Sequence, residues 1–258
     1  MRWAAGIEYA GTAYRGWQKL SHIDSVQARV EDALGRVANH PLRVMASGRT
    51  DGGVHAAMQV IHFDSPAERD ERAWCMGANS HLPGDIAVRW ARLVDDGFHA
   101  RHAATWRAYR YVFLCAGARS ALWRDRCAWS PHELDAERMH EAAQVLVGEH
   151  DFSAFRAAEC QSPTPMRRLD AIAVHRRGSF VCIDVGGNAF LHHMVRNIAG
   201  SLSAVGRGAA EPAWIGTLLA GRDRRAAAAT APAAGLYLLG ARYPEAYDIP
   251  SPVDPVFP

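Results

Sequence analysis

The order in which strand-like and helix-like runs succeed one another constrains this chain more than any other feature. Alternating or β-rich runs at about 3–9, 42–47, 57–63 and 86–93 read as strands. Between the first two, Val26, Val30, Leu34 and Val37 recur at helical spacing behind Asp24-Ser25, residue types that cap helices. A second helix is expected to start at Ser65-Pro66, with proline in its first turn. The order is therefore strand-helix-strand-strand-helix-strand. The second half repeats it, with strands at 107–115, 169–175, 180–185 and 236–242. One of its helices runs from Asp135 to Val147 and is stopped by Gly148. The other carries Leu191, Val195, Ile198, Leu202 and Val205 on one stripe.

Two β-α-β-β-α-β units in tandem imply an α+β chain of two ferredoxin-like halves, 1–103 and 104–258, with mostly antiparallel sheet and a cleft across both. A short extra helix is expected after Glu211-Pro212. The segments 10–24, 116–133 and 148–168 are too long for mere connections, and such loops tend to be functional or mobile. A chain of 258 residues suits two such halves, and its 49% hydrophobic content supplies an ordinary core. No apolar run approaches the ~20 residues of a membrane-spanning helix. Glu8 comes too early for the apolar stretch of a signal peptide. The five cysteines are scattered without a Cys-x-x-Cys pair, which fits reduced thiols in a cytoplasmic protein better than a disulfide framework or a zinc ribbon.

A formal net charge of +2 does not announce a nucleic-acid partner, but its distribution does more. Between Arg101 and Arg126 stand Arg101, Arg107, Arg110, Arg119, Arg124 and Arg126, against one acid, Asp125. Trp106, Tyr109, Tyr111, Phe113 and Trp123 interleave with them. Arginine beside aromatic residues suits phosphate contact with base stacking. The plainer reading is a solvated strand face in a chain whose single lysine is Lys19.

The sharpest local signal is Ser47-Gly48-Arg49-Thr50-Asp51-Gly52-Gly53-Val54-His55-Ala56, between two expected strands. An Asp-Gly hairpin turn would account for part of it. Arg49 and His55 flanking the acid, and Gly48 outside the turn, exceed what a hairpin needs. The spacing matches neither phosphate-binding glycine pattern, and Asp would repel phosphate.

This stretch closely resembles the signature of the bacterial tRNA pseudouridine synthase A family, usually Gly-Arg-Thr-Asp-Ala-Gly-Val-His-Ala. Further blocks are similar in the same order: Gly16-Trp17-Gln18, Asn79-Ser80-His81-Leu82-Pro83-Gly84-Asp85-Ile86, Phe98-His99-Ala100-Arg101 and Tyr109-Arg110-Tyr111. Gly148-Glu149-His150-Asp151-Phe152, Phe190-Leu191-His192-His193-Met194-Val195-Arg196-Asn197 and Ala231-Pro232-Ala233-Ala234-Gly235-Leu236-Tyr237-Leu238 continue it to the end. The resemblance implies a pseudouridine synthase fold with a central RNA-binding cleft. It implies an isomerase that converts uridines on the 3′ side of the tRNA anticodon stem-loop (tRNA positions 38–40) as a homodimer, without metal or organic cofactor. Asp51 would be the catalytic carboxylate, Tyr109 the tyrosine that packs on the target base and accepts the C5 proton, and Arg196 the cation paired with Asp51. Arg49 would help hold the flipped nucleotide, with Arg101, Arg107, Arg110 and His55 as further RNA contacts.

The chemistry agrees with that assignment. Pseudouridine formation breaks the N1–C1′ bond, rotates uracil and rejoins it through C5. A carboxylate serves this either by adding to C6 or by acting at the ribose, and both routes remain open. Either needs an ionised Asp, which a neighbouring cation favours. Arg196, five residues beyond Leu191, would sit about 140° around a helix from it and so face away from the core. Flipping the base costs a few kcal/mol, and stacking on an aromatic ring returns about 1–3 kcal/mol. Tyr111 shares the strand parity of Tyr109, so parity alone does not choose between them.

A metal reading of His192, His193 and His55 is weak, because adjacent helical histidines diverge by about 100°. Gly52 replaces the family's usual Ala, Met58 a frequent Gly and His102 a frequent Phe, which bears on loop rigidity and turnover. Two rivals stay open: a non-catalytic tRNA chaperone, indifferent to Asp51, and a nucleoside hydrolase that would release free uracil.

Overall fold

A computed structural model describes residues 1–252. In chain order the strands and helices are β1 (Arg2–Tyr9), α1 (Val26–Ala38), β2 (Met45–Ala46), β3 (His55–Asp64), α2 (Glu71–His81) and β4 (Ile86–Val94). There follow β5 (Trp106–Cys115), β6 (Ala128–Ser130), α3 (Ala136–Ala143), β7 (Gly148–Asp151), β8 (Met166–Arg177), β9 (Phe180–Gly187), α4 (Met194–Gly206), α5 (Trp214–Gly221) and β10 (Leu236–Arg242). The fold is mixed α+β with five α-helices among the described residues, and all eight expected strands are present. None of these helices is long and apolar enough to cross a membrane.

Two compact units emerge. Among the described residues the first comprises Met1–Arg107 and the chain from Tyr237 to Pro252, and the second comprises Ala108–Leu236. The contiguous division at 103/104 is therefore corrected. The last strand belongs with the first unit because Tyr237 and Leu238 of β10 pair in parallel with His55 and Ala56 of β3.

In the first unit β1 is antiparallel to β3 on one side and β4 on the other. The short β2 and β10 share the far edge of β3, at Ile61–His62 and at His55–Ala56. Successive residues of a strand face opposite sides. Accordingly Trp3 packs on Trp74 of α2, with ring centroids 5.8 Å apart, and Phe63 joins at 5.0 Å. Ala4 instead belongs to a second cluster with Met58, Val60, Phe98 and Ala100, covered by Trp90, Tyr243 and Tyr247.

The helix starts follow from capping. Ser25 Oγ accepts the Ala28 N–H at the head of α1, as the sequence suggests. The second helix begins at Glu71, not at Ser65-Pro66, because Asp70 accepts the Ala73 N–H at 2.6 Å. Ser65 Oγ is occupied by the Ala67 N–H and by His40 Nε2.

The second unit has the sheet order β5-β9-β8-β7, with β6 parallel to the end of β5. The pairs β7/β8 and β8/β9 are antiparallel. Asp135 caps α3 through the Glu137 and Arg138 N–H groups, each at 3.0 Å. The helix α4 starts at Met194, so Leu191 is buried but precedes it. The angular argument for Arg196, which counts from Leu191 around a helix, is corrected accordingly.

Candidate active site

The glycine-rich loop leaves β2 at Ser47 and re-enters the sheet at His55. Its entry is tied to β3: the Ser47 N–H donates to the Val60 carbonyl at 2.8 Å. The side chain of Gln59 accepts the Ser47 hydroxyl at 2.5 Å and donates to the Gly48 carbonyl at 2.7 Å. Its exit closes on itself, with the Val54 N–H donating to the Asp51 carbonyl at 3.2 Å. Between these anchors Arg49 is exposed, Thr50 is buried and Asp51 is half-buried. A second segment runs alongside. The Trp17 N–H donates to the Thr50 carbonyl at 3.0 Å, Gly16 bridges Asp51, and the Gly53 N–H donates to the Tyr14 carbonyl at 3.3 Å.

His55, expected at the RNA surface, is 1% exposed. Its Nδ1 accepts the Gly11 N–H at 3.1 Å, and its ring stacks on Tyr237 at 4.6 Å. It therefore pins the loop exit from inside the unit. Arg107 is half-buried and spans two pieces of chain, donating to the Arg101 carbonyl at 2.8 Å and to the Ser47 carbonyl at 3.3 Å. Arg101 and Arg49 are exposed.

In the second unit, β5 presents Tyr109 and Tyr111 on one face, and burial separates them. Tyr111 is fully buried and donates to the Pro232 carbonyl at 2.7 Å. Burial raises its phenol above the usual range. Tyr109 stays half-buried, its ring edge-on to Phe190 at 4.9 Å. Arg110 points the other way and is 4% exposed, with its guanidinium bound to Asp184 by two hydrogen bonds of 2.6 and 2.8 Å. That charge is committed to an internal ion pair, so Arg110 is an anchor of the sheet and not an exposed phosphate contact.

Arg196 lies in the first turn of α4, half-buried. It exchanges two hydrogen bonds with Ala231: its Nε donates to the Ala231 carbonyl at 2.8 Å, and its own carbonyl accepts the Ala231 N–H at 3.2 Å. The neighbouring Asn197 is fully buried, donating to the Phe155 carbonyl and accepting from Arg224 and Thr230. The Arg-Asn pair thus combines a half-exposed cation with a buried hub that holds the helix start.

The structure thus gathers Arg49, Asp51, His55, Arg101 and Arg107 in the first unit, and Tyr109, Arg110 and Arg196 in the second. Sequence reasoning missed the residues that hold the loop: Tyr9, Tyr14, Gln59 and the Asp85 that accepts the Tyr14 hydroxyl at 2.7 Å. The length of segment 10–24 was the signal available for them.

Residues 5–102 and 142–244 match a family model described as tRNA pseudouridine synthase. The chain belongs to this family. Its members isomerise uridine in tRNA to pseudouridine, and the chain is an enzyme of that isomerase class. It is 52% identical over 252 residues to a tRNA pseudouridine synthase A from Tolumonas auensis, covering 98% of this chain and 97% of that one. It is also 52% identical over 258 residues to the proteins of that name from Photobacterium profundum and Vibrio parahaemolyticus. Those alignments cover all of this chain and 99% and 98% of theirs.

Proposed function

We propose that this chain converts uridine to pseudouridine in the anticodon stem-loop of tRNA, with Asp51 as the catalytic carboxylate. The observation that carries the reading is the setting of Asp51. It is a half-exposed acid on a loop whose flanking residues Thr50 and Val54 are buried, and whose ends are tied to β3. A carboxylate held in this way is pre-positioned, which a nucleophile or proton acceptor needs and a solvated turn residue does not.

The steps balance without an external reactant. Asp51 acts at C6 or at the ribose, the N1–C1′ bond breaks, and uracil turns within the site. A C5–C1′ bond then forms, C5 loses its proton and N1 gains one. Tyr109, half-exposed beside Phe190, would stack on the extruded base and accept the C5 proton. Arg196 would pair with the Asp51 carboxylate, and Arg49 and Arg101, both exposed, would meet the backbone of the flipped nucleotide. The reading carries with it a homodimer acting in the cytoplasm, one subunit anchoring the tRNA body while the other holds the target.

The test uses unmodified tRNA transcripts, with pseudouridine mapped by chemical labelling and primer extension and free uracil assayed in parallel. Pseudouridine confined to the 3′ side of the anticodon stem-loop is the expected result. Released uracil without pseudouridine would favour the hydrolase. Tight binding with no modified base would favour the chaperone.

A further inference from the structure

Thr50 immediately precedes the proposed catalytic carboxylate and turns its side chain inward. It is 8% exposed, and its Oγ1 lies 2.7 Å from the phenolic oxygen of Tyr9. Tyr9, at the end of β1, is 3% exposed and packs its ring against Trp17 at 5.8 Å. We infer that Tyr9 and Thr50 are positioning residues, whose buried hydroxyl–hydroxyl bond fixes the direction in which Asp51 leaves the loop. The inference rests on Asp51 being the catalytic group.

The ties on this loop differ in what they restrain. The bonds from Trp17, Gly16 and Gly53 join the loop main chain to segment 14–17, which is itself a loop. That segment is in turn held by the start of α1, whose Val26 and Gln27 N–H groups donate to the Gly16 and Trp17 carbonyls at 3.3 and 3.0 Å, and by the Tyr14 hydroxyl on Asp85, so these ties reach residue 50 only through an intervening loop. The Tyr9–Thr50 bond instead joins residue 50 directly to β1, a strand paired on both edges. Threonine is β-branched and stiff at χ1, so holding its hydroxyl also holds the peptide that follows. The bond is buried, and a hydroxyl buried without a partner costs more than the bond contributes when made. A displacement of about 1 Å at a reacting group is enough to lower a rate by roughly 100-fold. Neither hydroxyl is exposed to meet tRNA, so binding should be indifferent to both.

The experiment measures single-turnover pseudouridine formation, tRNA affinity and thermal midpoint for Thr50→Val, Tyr9→Phe, the double variant and Thr50→Ser, with Asp51→Asn as control. Each single variant should lose roughly 10- to 100-fold in rate with affinity within about 2-fold of wild type. Thr50→Ser should stay within about 3-fold of the wild-type rate, since it keeps the hydroxyl. The double variant removes both polar partners, so it should recover the thermal midpoint that the singles lose while leaving the rate low. A rate that rises and falls with the midpoint, full in the double variant, would overturn the positioning role. So would singles at wild-type rate beside an inactive Asp51→Asn. An active Asp51→Asn would instead overturn the underlying reading of Asp51. Should Thr50→Val not fold, Tyr9→Phe alone decides between these outcomes.

Discussion

Two glycines beside Asp51 should respond in opposite directions to the same added methyl group. Gly16 has φ of +108°, and a Cβ there would sit 2.7 Å from the Thr50 carbonyl oxygen. A side chain at that backbone angle costs about 1–3 kcal/mol, and the clash is with main chain that cannot swing aside. Gly52 differs: its Cβ would meet Arg15 backbone atoms at 3.4 and 3.5 Å and the Tyr14 carbonyl oxygen at 3.5 Å, all ordinary contacts. Gly52→Ala should therefore stabilise by about 0.4–1 kcal/mol, by narrowing the unfolded ensemble. At roughly 2–4 °C per kcal/mol for a chain of this size, Gly16→Ala should lower the thermal midpoint by about 2–12 °C. Gly52→Ala should raise it by about 1–4 °C. Calorimetry reads these shifts, and pseudouridine formation on a tRNA transcript reads the loop. Gly16→Ala should lose at least tenfold in rate because it displaces the Thr50–Asp51 peptide, while Gly52→Ala should stay near wild type. A destabilised Gly52→Ala, or a Gly16→Ala variant with wild-type midpoint and rate, would refute the reasoning. Gly52, which departs from the usual family residue, is thus an unforced choice.

Other substitutions follow from the same geometry. Met58 stands where the family often has Gly, yet it is 2% exposed in β3, with the Trp90 indole N–H 3.2 Å from its sulfur. Met58→Gly should lose about 3–5 kcal/mol in denaturant unfolding, from the cavity and the added backbone freedom. Arg110→Met breaks a largely buried ion pair with Asp184 and should lower stability by about 1–3 kcal/mol. It should leave the salt dependence of tRNA binding unchanged, whereas Arg101→Ala should flatten that slope by nearly one unit if it meets a phosphate. His62 has its pKa lowered to about 4, first by burial and then by the positive charges of His99 and Arg2. The unfolded chain, with a histidine near 6.5, therefore takes up this proton first as pH falls. The contribution is intact above about pH 6.5 and lost progressively down to about pH 4. His62→Asn should flatten this limb of the stability curve by on the order of 1–2 kcal/mol, after allowance for solvent screening.

The strands and their order were legible because alternation of apolar and polar residues is a local property. All eight expected strands lie within a few residues of their observed positions. Helix starts were less so. Ser65-Pro66 has the right residue types for a start, but Asp70 takes the cap and Ser65 is used by His40, a partner distant in sequence. Leu191 continues the spacing of α4 without belonging to it, because His193 adopts a left-handed backbone just before the first turn. At the site, the Arg-Thr-Asp block was visible as a cluster of chemistry. What was hidden is which polar residues face inward. Arg110 and His55 look like surface residues by type, and only their partners Asp184, Gly11 and Tyr237 explain their burial. Tyr9 and Thr50 are separated by 41 residues, and no local pattern links them.

The most direct test of the central claim compares wild type with Asp51→Ala on one unmodified tRNA transcript, measuring binding and pseudouridine together. The variant should bind tRNA with an affinity within a few-fold of wild type and form no pseudouridine. Pseudouridine formed by Asp51→Ala at an undiminished rate would contradict it.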